Sequence, residues 1–245
     1  MFPSDEELSA IEAAEPRARR LDWSDDDGEL LASVVIGPPR RVPGEVGVPQ
    51  AYRKWVDAMH DADQASSAAN NLALTSCLWP SREKLRVFLD SSPEAAYTIA
   101  DTIGAMASPE AHDEVKRVAG EWQRESGAAL TEGMLTKLAA ARTANPIARL
   151  WAAVVDVGAG EELVIAKPVR SNRYHDARAL GAKLRVFDCA ELLCTGSIVE
   201  PTQERFTAMV EDRPALALVV GGAVRELGSP GAAKLGKAKP SLRGR

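Results

Sequence analysis

Residues 79–109 read WPSREKLRVFLDSSPEAAYTIADTIGAMASP, and residues 200–230 read EPTQERFTAMVEDRPALALVVGGAVRELGSP. A shift of 121 residues lays one on the other without a gap and keeps Pro80 on Pro201, Glu83 on Glu204, Pro93 on Pro214, Ala96 on Ala217, and Ser108-Pro109 on Ser229-Pro230. The apolar positions coincide as well: Leu85 with Phe206, Phe88 with Met209, Leu89 with Val210, Ile99 with Val220, Ile103 with Val224, Met106 with Leu227. The spacing predicts two short helices joined at a proline, twice in the chain. Ser81 and Thr202 suit N-caps, each with a glutamate two residues on where a carboxylate favours the helix start. Leu85, Phe88 and Leu89 stand at i, i+3 and i+4 and so form one stripe. Pro93 and Pro214 cannot continue the first helix but suit the first turn of the second, with Ser92 as a candidate cap.

Further upstream, Val35-Ile36-Gly37-Pro38-Pro39 is matched by Val164-Ile165-Ala166-Lys167-Pro168, a short β-branched strand closed by proline. Each is followed by arginine and an aromatic helical segment, near Tyr52 and Trp55 in one case and near Tyr174 in the other. Residues 42–49 have no counterpart and read as an inserted loop. Helices are expected over about 51–62, 66–79, 173–184 and 186–199. Val115, Val118 and Trp122, then Met134, Leu135 and Leu138, read as stripes of a helical linker. The expected fold is mainly α with small β-hairpins (α+β), as two tandem copies of a strand plus helix-cluster unit joined by a helical linker. Its divisions are an acidic peripheral segment 1–27, unit 28–111, linker 112–150, unit 151–232 and a basic tail 233–245.

Composition supports two modest cores: 245 residues, 45% hydrophobic and 27% charged. Aromatic residues make up only 5% while alanine is abundant, which favours close helix packing and leaves little for a base-stacking platform. A net charge of −5 should repel nucleic acid and anionic membrane. Cys77, Cys189 and Cys194 are odd in number in apolar surroundings, as expected of reduced, buried thiols. The start, Met1-Phe2-Pro3-Ser4-Asp5, lacks signal-peptide features, and no run of about 18 apolar residues occurs. A cytoplasmic protein is expected.

Few strings invite an enzymatic reading. Val154-Val155-Asp156-Val157-Gly158-Ala159-Gly160 is similar to the first motif of methyltransferases that use S-adenosylmethionine, in which a helix follows the glycine loop. Here Glu161-Glu162 leads into another strand-like run, so a β-hairpin is expected, with a methyltransferase using Asp156, Gly158 and Gly160 as the alternative. Gly231 to Lys237 has phosphate-loop spacing but ends in Ala238 instead of serine or threonine. His60, His112 and His175 are scattered, Cys189 and Cys194 read as core, and no Gly-x-Ser-x-Gly elbow occurs. No catalytic, cofactor or metal site is expected.

The series of short strand, Pro-Arg turn, aromatic helix and proline-started helix pair resembles a family of small tail assembly chaperones of bacteriophages and related tail-like structures. The resembling residues are Pro39-Arg40-Arg41, Tyr52, the run Leu72 to Trp79, Pro80-Ser81-Arg82-Glu83 and Ser92-Pro93-Glu94. Pro168-Val169-Arg170, Tyr174, Leu192-Leu193, Pro201-Thr202-Gln203-Glu204 and Arg213-Pro214 repeat them, so the resemblance spans 30–111 and 160–232. Two units in one chain, and the linker between them, depart from the single-unit pattern. The resemblance implies a non-enzymatic protein that holds another protein, such as the tape-measure component, until a tube forms around it; a retained structural component is the alternative. Comparison of the copies, with Trp79 opposite Glu200 and Tyr97 opposite Leu218, marks Trp55, Trp79 and Tyr97 as candidate contacts, with core packing as the competing role for the tryptophans. The same comparison turns Asp101-Thr102 into Gly222-Ala223.

Overall fold

A computed structural model describes residues 2–24, 29–59, 61–158 and 160–228. Asp25-Asp26-Asp27, His60, Ser229-Pro230, the Gly231 to Lys237 string and the basic tail lie outside the described residues.

The chain is α+β. A first series comprises α1 (Asp5–Ala14), β1 (Arg19–Ser24), β2 (Leu30–Ile36), α2 (Gln50–Ala58), α3 (Ala62–Ser76), β3 (Cys77–Trp79), α4 (Arg82–Ser91) and α5 (Pro93–Ala107). Strands β4 (Ala111–Val118) and β5 (Glu121–Arg124) follow. The last elements are α6 (Glu132–Ala144), β6 (Trp151–Asp156), β7 (Glu161–Ala166), α7 (Ser171–Gly181), α8 (Val186–Cys194), β8 (Ile198–Glu200), α9 (Gln203–Asp212) and α10 (Ala215–Gly228), in the order of the first series. Ser81 and Thr202 cap α4 and α9 as expected, accepting from the backbone N–H of Lys84 and Arg205. Ser92 makes no side-chain cap, and Pro93 opens α5 instead. The peptide bonds before Pro80 and Pro201 are cis.

Two antiparallel sheets result, ordered β1-β2-β3 and β5-β4-β6-β7-β8. Val35 faces Trp79 and Ile36 faces Cys77; in the other sheet Ile165 faces Glu200 and Ala166 faces Ile198, each with a register shift at that step. The amide of Gly37 bonds to the carbonyl of Ser76, and that of Lys167 to Ser197.

Three expectations need correction. The span 112–150 is not a helical linker, since its first part is the β4–β5 hairpin and only α6 is helical. Ala119 and Gly120 take φ values of 51° and 96°, a two-residue turn that splits the supposed helical stripe. Val115 and Trp122 do share a face, but it is the face of a sheet. Helices expected to reach 79 and 199 end at Ser76 and Cys194, and the residues after them form β3 and β8. The segment 1–27 is more than periphery, because β1 pairs along β2 and its Leu21 and Trp23 pack on the core.

That core runs through both series, joining Ile36, Leu85 and Ile99 to Val164, Phe187, Phe206 and Val220 in one cluster. A second cluster lies on the other face of the larger sheet, where Met134 and Leu138 of α6 cover Val154, Leu163 and Ile165. Arginines tie the series together. Arg53 of α2 bonds Asp188 (2.5 Å) and Glu191 (3.0 Å) of α8 and lies over the Phe187 ring. Arg213, 4% exposed, donates to the carbonyls of Met106 (3.1 Å) and Ser108 (3.2 Å) at the end of α5 and to Glu110 (2.6 Å). No helix among the described residues is long and apolar enough to cross a membrane.

Candidate protein-binding groove

The three aromatic candidates fall in different settings. Trp55 is 6% exposed, in the core, with its ring edge-on to Tyr97 at 6.1 Å. Tyr97 is half-buried against the same cluster. Trp79 is half-buried on β3, and its indole N–H donates to Glu7 of α1 at 3.3 Å. The structure therefore brings Trp55 and Tyr97 together and leaves Trp79 apart from them. Neighbouring Tyr52 is 3% exposed, and burial pushes its phenol up to about 12.

Matching Tyr52 with Tyr174 puts Trp55 on Ala177, and the 121-residue shift puts Tyr97 on Leu218. The large rings that fill the space between helices in the first series thus give way to smaller side chains in the second. An open groove of about 870 Å³ lies beside Ala177, among α7, α8 and α10. Ala177, Val186, Cys189 and Leu193 supply apolar lining, and Tyr174, Arg178, Arg225 and Glu226 the polar and aromatic lining. Burial pushes the Cys189 thiol up, which keeps it protonated and apolar in character rather than nucleophilic.

Glycines set the width of this groove. A Cβ on Gly221 would come within 2.7 Å of the Ala190 Cα, so α10 reaches α8 closely only because Gly221 has no side chain. The C-terminal turn likewise sits on Tyr174, whose ring a Cβ on Gly228 would meet at 2.7 Å. Gly222 has no heavy atom within 4 Å of its Cβ position and opens onto the groove.

Large side chains stand out in a sequence as candidate contacts, whereas this groove is made by small ones and leaves no such mark. The available signal was the replacement of Asp101 by Gly222 and of Trp55 by Ala177 between the two series.

At the glycine string β6 pairs antiparallel with β7, Asp156 standing opposite Glu161. Gly158, at φ 87°, donates its amide to the Asp156 carboxylate at 2.8 Å, and Arg213 and Glu110 lie against it. Among the described residues no group of three or more His, Cys, Asp or Glu gathers to hold a metal ion, and Cys77, Cys189 and Cys194 are free thiols. No family model, curated protein or solved structure matched the chain when it was compared with known proteins.

Proposed function

We propose that the protein is a non-enzymatic assembly chaperone or adaptor for a phage tail or tail-like particle, built by tandem duplication of the series that runs from α1 to α5 and again, after the β4–β5 hairpin, from α6 to α10. The observation that carries this reading is the groove on the second series. Its apolar lining and charged rim suit the apolar stripe of an amphipathic helix, which is how helix-in-groove recognition works. A long helical tail component such as a tape-measure protein presents such stripes before its tube covers them. The duplication is supported by the recurring element order and by the matching registers of β2 with β3 and β7 with β8. Duplication followed by loss of the Trp55 ring at Ala177 would leave one unit closed and the other open to a client.

The test is co-purification from the native cell with wild-type protein and with Gly222→Phe, which projects a ring into open space in the groove. Wild-type protein should retain a long helical tail component and the variant should lose it, with circular dichroism unchanged. Equal retention by both would sink the groove as the site, and retention of no tail component would sink the function. Mass spectrometry of finished particles separates a chaperone, which is absent from them, from a retained structural component.

A further inference from the structure

Strands β1 and β6 hold the same place in their sheets, each the hairpin partner of the next strand, yet their outer edges differ. The edge of β6 is covered by β4, antiparallel, with Ala111 opposite Asp156 through Glu114 opposite Ala153. Under that cover Ala153 and Val155 are both 0% exposed. The corresponding residues of β1 are Leu21, opposite Val34, and Trp23, opposite Ala32. No described strand pairs with the outer edge of β1, and both residues are only half-buried. An uncovered edge presents unpaired backbone N–H and C=O groups, the template for adding a strand.

The order of charges along this edge selects its occupant. The strand reads Arg19-Arg20-Leu21-Asp22-Trp23-Ser24. In an antiparallel ladder, residues directly opposite share a face, so a two-fold axis normal to the sheet must lie midway between one residue of β1 and the same residue of the second copy. Centred on Arg20 or on Asp22, the ladder sets like charges against each other. Centred on Leu21, it sets Arg20 against Asp22 of the second copy twice, Leu21 against Leu21, and the stem of Arg19 beside Trp23. Arg20 and Asp22 already share one face, 2.8 Å apart, so four charges would meet there as two alternating pairs.

We propose that β1 pairs with β1 of a second copy, antiparallel about Leu21, joining the two three-stranded sheets into one of six strands. Within β1 a ladder centred on Leu21 pairs the five residues 19–23, a contact shorter than that of an obligate dimer, so the dimer forms reversibly and at micromolar concentration. This surface is separate from the groove and does not depend on what the groove holds.

Sedimentation equilibrium across the micromolar range tests it. Wild-type protein should dimerise, and Arg20→Asp or Asp22→Arg alone should weaken the dimer about tenfold or more, because like charges then face each other. An equimolar mixture of the two variants should restore it. The double exchange Arg20→Asp with Asp22→Arg keeps the pair within the strand, so it guards against loss of folding; it should dimerise with itself and refuse mixed dimers with wild type. A wild-type protein that stays monomeric at hundreds of micromolar overturns the proposal and makes the edge charges guards against pairing. A dimer unaffected by Asp22→Arg, or free mixing of the double exchange with wild type, overturns it equally.

Discussion

Arg213 shows how much a single residue can carry without a mark in the sequence. Beside Pro214 it reads as an ordinary surface arginine, yet it is 4% exposed and binds two carbonyls at the C-terminal end of α5, where a cation also suits the helix dipole. Its hydrogen-bond partners lie more than 100 residues away, which no local pattern encodes. Replacing it with methionine should leave those carbonyls unpaired and cost about 2–4 kcal/mol, measured as a lower urea midpoint. Asp113 makes a pH-dependent counterpart. The Ser126 hydroxyl and then the Arg124 guanidinium hold its carboxyl down from 3.8 to about 2. The folded chain therefore binds this proton less readily than the unfolded chain, so the contribution is complete above pH 4 and fades as pH falls to about 2. Asp113→Asn should lower the denaturation midpoint at pH 7, and the gap should close towards pH 2. A gap independent of pH would contradict the assignment. The aromatic candidates were visible as residues, but which of them is buried was not: Trp55 and Trp79 carry the same side chain, and what separates them is that Trp55 meets Tyr97 in the core while Trp79 lies on β3 beside Glu7.

At the scale of elements, adjacent glycines of α10 should behave oppositely. Gly221→Ala drives a methyl into the backbone of α8 and should destabilise by about 1–3 kcal/mol. Gly222→Ala meets open space and should stabilise by about 0.5–1 kcal/mol, since alanine loses less backbone entropy in a helix. Thermal melts of the two variants check the sign of each, and similar shifts would mean that α8 and α10 do not approach as described. Elements governed by local chemistry were legible: the helix pairs α4–α5 and α9–α10 follow from caps, stripes and prolines within about 30 residues of chain. The β4–β5 hairpin was not, because Val115, Val118 and Trp122 satisfy a helical period by coincidence. What decides the outcome is the Ala119-Gly120 turn and the bare edge of β6 that β4 covers. The short strands β3 and β8 were missed for a related reason. Three residues carry no period of their own, and their pairing with β2 and β7 is a long-range matter.

For the whole molecule, the sequence pattern suggested two lobes on a linker, whereas the first and second series share a continuous apolar cluster closed by Arg53 and Arg213. Apolar periodicity says which face of a helix is buried, not which partner buries it, so the joining of the cores was out of reach. The strand β4 gives that joining a consequence of its own. It belongs by connectivity to the amino-terminal half of the chain but completes the sheet of the carboxy-terminal half. A cut at the exposed Gly127, where the chain turns at φ 79°, would therefore yield two pieces of which the first lends the β4–β5 hairpin to the sheet of the second. Produced separately, fragments 1–127 and 128–245 should each expose apolar surface and aggregate; produced together, they should complement one another as a soluble pair that melts in a single transition. Two independently soluble fragments would instead mean that each series folds alone. The clasp made by β4 turns a covalent succession of elements into a mutual obligation, in which neither half of the polypeptide is finished until the other has been made.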